Sequence, residues 1–116
     1  MKRKLETLKK NEDFKKLLSG GKRYSDKYLR AVVEKSETGK MRIGVAVKKN
    51  FGTAVARNRV RRQIKEAFRV GASSGAGRAG ADIVVFPGIE AKNAGFLEIK
   101  RAINRILSRA GLGGDK

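Results

Sequence analysis

The sequence predicts a single α+β domain, and three observations predict it. Apolar residues alternate with polar or small ones over 41–48, apolar residues recur at helical spacing over 53–70 and 93–110, and 116 residues have room for one modest core. Helices and strands of both periods within one core make an α+β domain.

The elements follow in order. A first helix is read over residues 11–18, where Asn11 is placed to cap it, Glu12 and Asp13 suit its positive first turn, and Phe14, Leu17 and Leu18 share a face. Gly20-Gly21 stops it. From Tyr28 to Glu34, Leu29, Ala31 and Val33 point one way and Tyr28, Arg30, Val32 and Glu34 the other. Ser36 to Lys40, with Gly39, reads as a hairpin turn into the next strand. There Met41, Ile43, Val45 and Val47 form a greasy face, and Arg42, Gly44, Ala46 and Lys48 a small and basic one. Gly44 and Ala46 leave a shallow groove where a backbone can lie, although an ordinary exposed sheet face explains the pattern equally well.

Thr53 caps a long helix reaching about Val70, with Gly71 placed to end it in the left-handed conformation. Residues 71–80 lack periodicity, are rich in glycine, and read as a flexible connector within the domain. Asp82 to Phe86 is a mostly buried strand ended by Pro87-Gly88, and its continuous apolar run suits the centre of a sheet. In the final helix, roughly Asn93 to Ala110, the core stripe is Ile99, Ala102, Ile103, Ile106, Leu107 and Ala110, with Lys100, Arg101, Arg105 and Arg109 around it. The tail 111–116 is expected to be disordered.

Charge bounds the function. Lys and Arg total 29 against 11 Asp and Glu, a net charge of +18 that makes a compact body repel itself until a polyanion neutralises it. Nucleic acid fits best, since each phosphate that is neutralised releases condensed counterion without any base readout. A membrane partner is not expected, because no run of 18 or more apolar residues occurs and the basic segments lack Trp or a broad greasy face. With no Cys and no His, disulfides, zinc sites built from those ligands, thiol nucleophiles and an imidazole base are excluded. Met1-Lys2-Arg3-Lys4 is basic like the start of a signal peptide, but Leu5 to Lys16 hold no apolar stretch, so a cytoplasmic location is expected.

The charge concentrates in Arg57-Asn58-Arg59-Val60-Arg61-Arg62. At about 100° per residue, Val60, Ile64, Ala67 and Phe68 share one face, while Asn58, Arg61, Arg62, Lys65 and Arg69 gather on the opposite one, with Arg57 and Arg59 flanking the row. Guanidinium forks bind phosphate oxygens bidentately, and Asn58 both donates and accepts. A solvated amphipathic helix is the plain alternative, but Glu66 is the lone acid among these residues. Charge does not separate RNA from DNA. A helix-turn-helix motif would need a helix immediately before this one, where the sequence instead reads as strands.

The run Lys48-Lys49-Asn50-Phe51-Gly52-Thr53-Ala54-Val55-Ala56-Arg57-Asn58-Arg59-Val60-Arg61-Arg62-Gln63-Ile64-Lys65-Glu66-Ala67-Phe68-Arg69 resembles the signature of the bacterial ribonuclease P protein family. Its Lys-Lys pair, Gly, Ala-Val, Arg-Asn-Arg triplet and following basic residues occur here in order. The resemblance extends to Leu8 through Phe14, to Met41 through Val47 and to Asp82 through Val85, nearly the whole chain. It implies a single-domain α-β sandwich like the second domain of ribosomal protein S5. That fold has a mixed sheet of about four strands, three helices, and the basic helix in a left-handed crossover.

It also implies the protein subunit of a ribonucleoprotein endoribonuclease that removes the 5′ leader of precursor tRNA, with the RNA subunit carrying the chemistry. Ribonuclease P RNA and precursor tRNA are then the partners, and no protein oligomer is expected. Mg2+ acts through the partner RNA, with none bound by protein side chains alone, and no residue of this chain is catalytic. By the resemblance, Lys48, Lys49, Arg57, Asn58, Arg59, Arg61, Arg62, Lys65 and Arg69 contact the catalytic RNA, Arg57 and Arg59 being equally suited to bracing the fold. Phe14, Leu18, Tyr28, Leu29, Ala31 and Arg42 line the leader's path. Some relatives carry aromatics where this chain has Leu18 and Ala31, which puts leader preference in question. Phe68 and Phe86 read as core, Phe51 as a staple at the helix entry, and Phe14 stays open between packing and leader contact. The rival readings are a structural RNA-binding protein of ribosomal type and a DNA-binding regulator.

Overall fold

The computed structural model describes residues 5–8, 11–36, 41–73 and 80–112. Its elements run β1 (Leu5–Thr7), α1 (Asn11–Gly20), β2 (Lys22–Ser25), β3 (Leu29–Ser36), β4 (Met41–Val45), α2 (Ala54–Ser73), β5 (Gly80–Pro87) and α3 (Phe96–Arg109). Short 3-10 turns cover Lys49–Phe51 and Ile89–Asn93.

One mixed sheet takes the strands in the order β1-β4-β5-β3-β2. Burial explains why β5 is central. Ala81, Ile83, Val84 and Val85 are all fully buried, so this strand is apolar on both faces and needs a neighbour on each side. It runs parallel to β4 and antiparallel to β3. The fifth strand beyond the expected four arises at the edges, where β1 and β2 have only three and four residues, too few for an alternating pattern to register.

The expected hairpin between β3 and β4 does not form, because β5 lies between them. Neighbours in sequence yield to the strand with the most apolar surface to hide. The turn itself, residues 37–40, lies outside the described residues, as do residues 74–79 of the expected connector.

Both sheet faces are covered. On one, Leu29, Ala31, Val33, Met41, Ile43, Ile83 and Val85 meet α2 through Val60, Ile64, Ala67 and Phe68, and meet α3 through Ile99, Ala102, Ile103, Ile106 and Leu107. On the other, Val32 and Val84 meet Leu8 and Leu17, with Phe14, Leu18, Ala46 and Phe86 partly buried around them. The helix stripes are those that the spacing predicts. Phe86, expected in the core, lies on the thinner α1 side and keeps part of its surface open.

Several helix ends differ from expectation. α2 continues through Gly71 to Ser73, and Gly111 is the one described glycine at positive φ, 76°. Gly111 closes α3: its N–H donates to the Ser108 carbonyl at 3.1 Å, and that of Leu112 to the Leu107 carbonyl at 2.8 Å, a Schellman closure that buries Leu112. Leu112 is therefore packed while Gly111 stays exposed, and 113–116 lie outside the described residues. At its other end α3 starts at Phe96, after the separate 3-10 turn, where the Gly95 N–H donates to Glu98 Oε1 at 3.0 Å.

α3 is also clamped to the turn between β2 and β3. Arg105 donates through Nε and Nη2 to the two carboxylate oxygens of Asp26 at 3.1 and 2.8 Å, and Arg109 donates to the Ser25 carbonyl at 2.7 Å. The hydrogen bond from Arg105 holds the Asp26 carboxyl below its ordinary range, against the opposing effect of burial.

Candidate nucleic-acid interface

The basic face stands on α2, and the start of that helix is fixed by short-range chemistry. Thr53 Oγ1 accepts from the Ala56 N–H at 3.1 Å, the cap that the sequence predicts, and Phe51 is buried beneath it. Arg57 belongs to this support. Its Nη1 donates to the Gly52 carbonyl at 2.8 Å and to the Lys49 carbonyl at 3.4 Å, so it ties the 3-10 turn to the helix. Of the two arginines open between bracing and RNA contact, Arg57 braces and Arg59 is exposed.

Asn58, Arg62, Lys65 and Arg69 are exposed and Arg61 half-buried, on the helix side away from Val60, Ile64 and Phe68. Within the row, Arg61 Nη1 donates to Asn58 Oδ1 at 2.9 Å, so the Asn58 amide oxygen is engaged and its nitrogen is the donor end of the side chain. Arg69 pairs with Glu66. Arg59, Arg62 and Lys65 form no side-chain hydrogen bond or ion pair among the described residues, nor do the exposed Lys48 and Lys49. The row is thus a band of positive charge with one acid attached, and that acid is already paired.

The second surface is the α1 side of the sheet. Phe14 is half-buried there with its ring over Gly44, where an added Cβ would lie 2.7 Å from Phe14 Cζ. The groove expected over Gly44 is therefore occupied by Phe14, and glycine is what makes room for the ring. Leu18 packs beside it. Arg42 lies on the same face, opposite Asp82 across β4 and β5, and donates to both carboxylate oxygens at 2.9 and 2.8 Å.

Three residues expected on this surface are placed elsewhere. Leu29 and Ala31 are 1% exposed and belong to the core beneath α2 and α3, on the sheet face away from α1. Tyr28 precedes β3, packs partly against the same core, and has Lys27 Nζ 5.5 Å from its ring centre. Register puts Arg30 and Val32 on the α1 side instead, paired with Phe86 and Val84 on β5, with Arg30 exposed and Val32 buried under α1. Arg30 is exposed and Phe86 half-buried on this face, two additions to the candidates that the sequence offers. The alternation along β3 carried the signal, since it sets Arg30 opposite to Leu29 and Ala31. At the end of β3 and β5 a hollow of about 340 Å3, lined by Tyr28, Arg30, Lys48, Asn50 and Phe86 among others, links this face to the lysines before α2.

Among the described residues no group of three or more Asp, Glu, His or Cys converges as metal ligands, and no helix is long and apolar enough to cross a membrane. The basic helix α2 thus lies in the crossover between the parallel neighbours β4 and β5, with the hollow at the sheet's end beside it. The sequence matches the Ribonuclease P family over residues 1–111. The chain belongs to that family.

Its relatives are protein components of ribonuclease P. The one from Clostridioides difficile is 38% identical over 102 residues, covering 88% of this chain and 89% of the relative. That from Dictyoglomus turgidum is 36% identical over 109 residues, covering 94% and 92%. The Staphylococcus aureus RNase P protein superposes with a TM-score of 0.81 at 27% identity, over 96% of this chain and 100% of the other. The Thermotoga maritima protein gives 0.79 at 29% identity, over 90% and 96%. Members of the ribonuclease P family are subunits of an endoribonuclease, and the mixed sheet with three helices is the fold of its solved structures.

Proposed function

We propose that this chain is the RNA-anchoring subunit of a cytoplasmic ribonuclease P ribonucleoprotein, which removes the 5′ leader of precursor tRNA. The α2 row, with Lys48 and Lys49, docks on ribonuclease P RNA. The leader follows the α1 face of the sheet past Phe14, Leu18, Arg30, Arg42 and Phe86, and the hollow at the sheet's end connects the two. The observation that carries this reading is the row itself, in which Arg62 and Lys65 stand exposed and without acidic partners among the described residues, on a helix that packs Val60, Ile64 and Phe68 into the core.

In this reading the protein contributes binding and electrostatics. Catalytic RNA and precursor tRNA repel each other, and a body of charge +18 between them lowers that repulsion and releases counterions from both. In this reading Mg2+ acts through the partner RNA, where it supplies the charge stabilisation that cleavage of a phosphodiester needs. Half-buried Phe14 and Phe86 offer aromatic surface on which leader bases stack without sequence readout, and Arg30 offers a phosphate contact.

Two binding measurements test it. The Arg62→Ala, Lys65→Ala double variant is expected to bind ribonuclease P RNA more weakly, with the slope of log affinity against log salt reduced by roughly 0.7–0.9 per lost phosphate contact. An unchanged slope contradicts the anchor. For the leader, Arg30→Ala should reduce the preference of the assembled ribonucleoprotein for precursor over mature tRNA. An unaltered preference contradicts that assignment.

A further inference from the structure

We infer that the groove between α2 and the start of α3 holds one unpaired base of the partner RNA, stacked on Phe96 with Arg59 and Arg62 on its flanking phosphates. This rests on the RNA-binding reading above and adds a site on a different side of α2. Helical spacing puts Asn58, Arg61 and Lys65 on one flank, and Arg59, Gln63 and Glu66 on the other, with Arg62 between. The second flank faces Phe96, the first residue of α3, across a groove of about 300 Å3. An adjoining hollow of about 280 Å3, reaching Lys92 and Asn93, shares Arg59 and Gln63, so the two form one track along the helix.

The chemistry of the track selects its occupant. Phe96 is 38% exposed, an aromatic ring kept at the surface of a strongly basic protein. Arg59 and Arg62 beside it have no side-chain partner among the described residues, whereas the nearby acid Glu66 is held by Arg69. Gln63 brings an amide donor and acceptor to the same groove. A flat apolar group attached to negative charge meets all of these at once, and that is a nucleotide. A second copy of this chain would cover the apolar surface but would set +18 against +18. Duplex RNA offers no free ring face, so the base must be unpaired.

The chain has no Trp, which makes Phe96→Trp a sole fluorescent reporter on an exposed aromatic position. Titration with ribonuclease P RNA should quench its emission, and a blunt RNA duplex should bind without doing so. Phe96→Leu, which keeps apolar packing but not stacking, should weaken binding of the RNA on the order of tenfold with its salt slope unchanged. Arg59→Ala should lower the slope. Circular dichroism of each variant confirms the fold. Bound RNA that leaves Trp emission unchanged, or wild-type affinity in Phe96→Leu, overturns the stacking site while the α2 anchor stands. So does a Phe96→Leu variant that loses only self-association, which would make the groove a protein interface. If wild-type protein binds no RNA, this inference and the proposed function fall together.

Discussion

Gly44→Ala should destabilise this protein although it adds only a methyl group to a strand. The new Cβ would lie 2.7 and 2.8 Å from Phe14 Cζ and Cε1 and 3.3 Å from Leu8 Cβ, where carbon pairs prefer about 3.5–4.0 Å. The Phe14 ring must retreat by about 1 Å, into surroundings set by α1. Overpacking of this kind costs about 1–3 kcal/mol, while replacing glycine restrains the unfolded chain and returns about 0.4–1 kcal/mol. Gly44 is not at positive φ, so the backbone adds no penalty. At the middle of those two ranges the net loss is about 1.3 kcal/mol. In a Phe14→Ala background only the 3.3 Å approach to Leu8 Cβ remains, and the same change should be neutral or stabilising by about 0.5 kcal/mol. Urea unfolding of the wild type, both single variants and the double variant gives the coupling directly. Additive effects, or a neutral Gly44→Ala in the wild type, would refute the packing of Phe14 on Gly44.

Two further outcomes follow from the contacts that position the surfaces. Because the Asp26 carboxyl is held low by Arg105, its contribution to stability is present above its unfolded value, about pH 4, and is lost as pH falls through the lowered folded value. Asp26→Asn should therefore lower the free energy of urea unfolding at pH 7 by about 1 kcal/mol, given that Arg105 is half-exposed, and should flatten the acid limb of the stability curve. Equal acid sensitivity of the two proteins would contradict the clamp. Arg57→Ala should cost about 1 kcal/mol through its lost carbonyl contacts, whereas Arg62→Ala should stay within about 0.5 kcal/mol. Thermal melting separates them, and equal losses would contradict the division between bracing and binding arginines.

Local signals were legible in the sequence, and signals that depend on tertiary placement were not. The Thr53 cap, the α3 stripe and the central position of β5 each depend on a few adjacent residues, and each appears as expected. The edge strands were missed because three or four residues hold too little pattern. The β3–β4 hairpin was expected from closeness in sequence, but β5 has more apolar surface to bury and displaces the pairing. The open groove over Gly44 was expected from one strand alone, and the residue that fills it comes from α1. Leu29 and Ala31 entered the leader path through family resemblance although their own alternation set them with Val33 in the core, and burial followed the alternation. The α2 row needed no tertiary knowledge beyond which helix face is core, which is why Asn58, Arg62 and Lys65 lie where the spacing puts them.

The central claim is that this chain assists an RNA catalyst by binding. Cleavage of a precursor tRNA by a bacterial ribonuclease P RNA at low magnesium, with and without this protein, measures that assistance. The account predicts that the protein accelerates release of the 5′ leader, that the protein alone cuts nothing, and that the Arg62→Ala, Lys65→Ala variant stimulates less. Cleavage unchanged by the protein, or cutting by the protein without RNA, would contradict it.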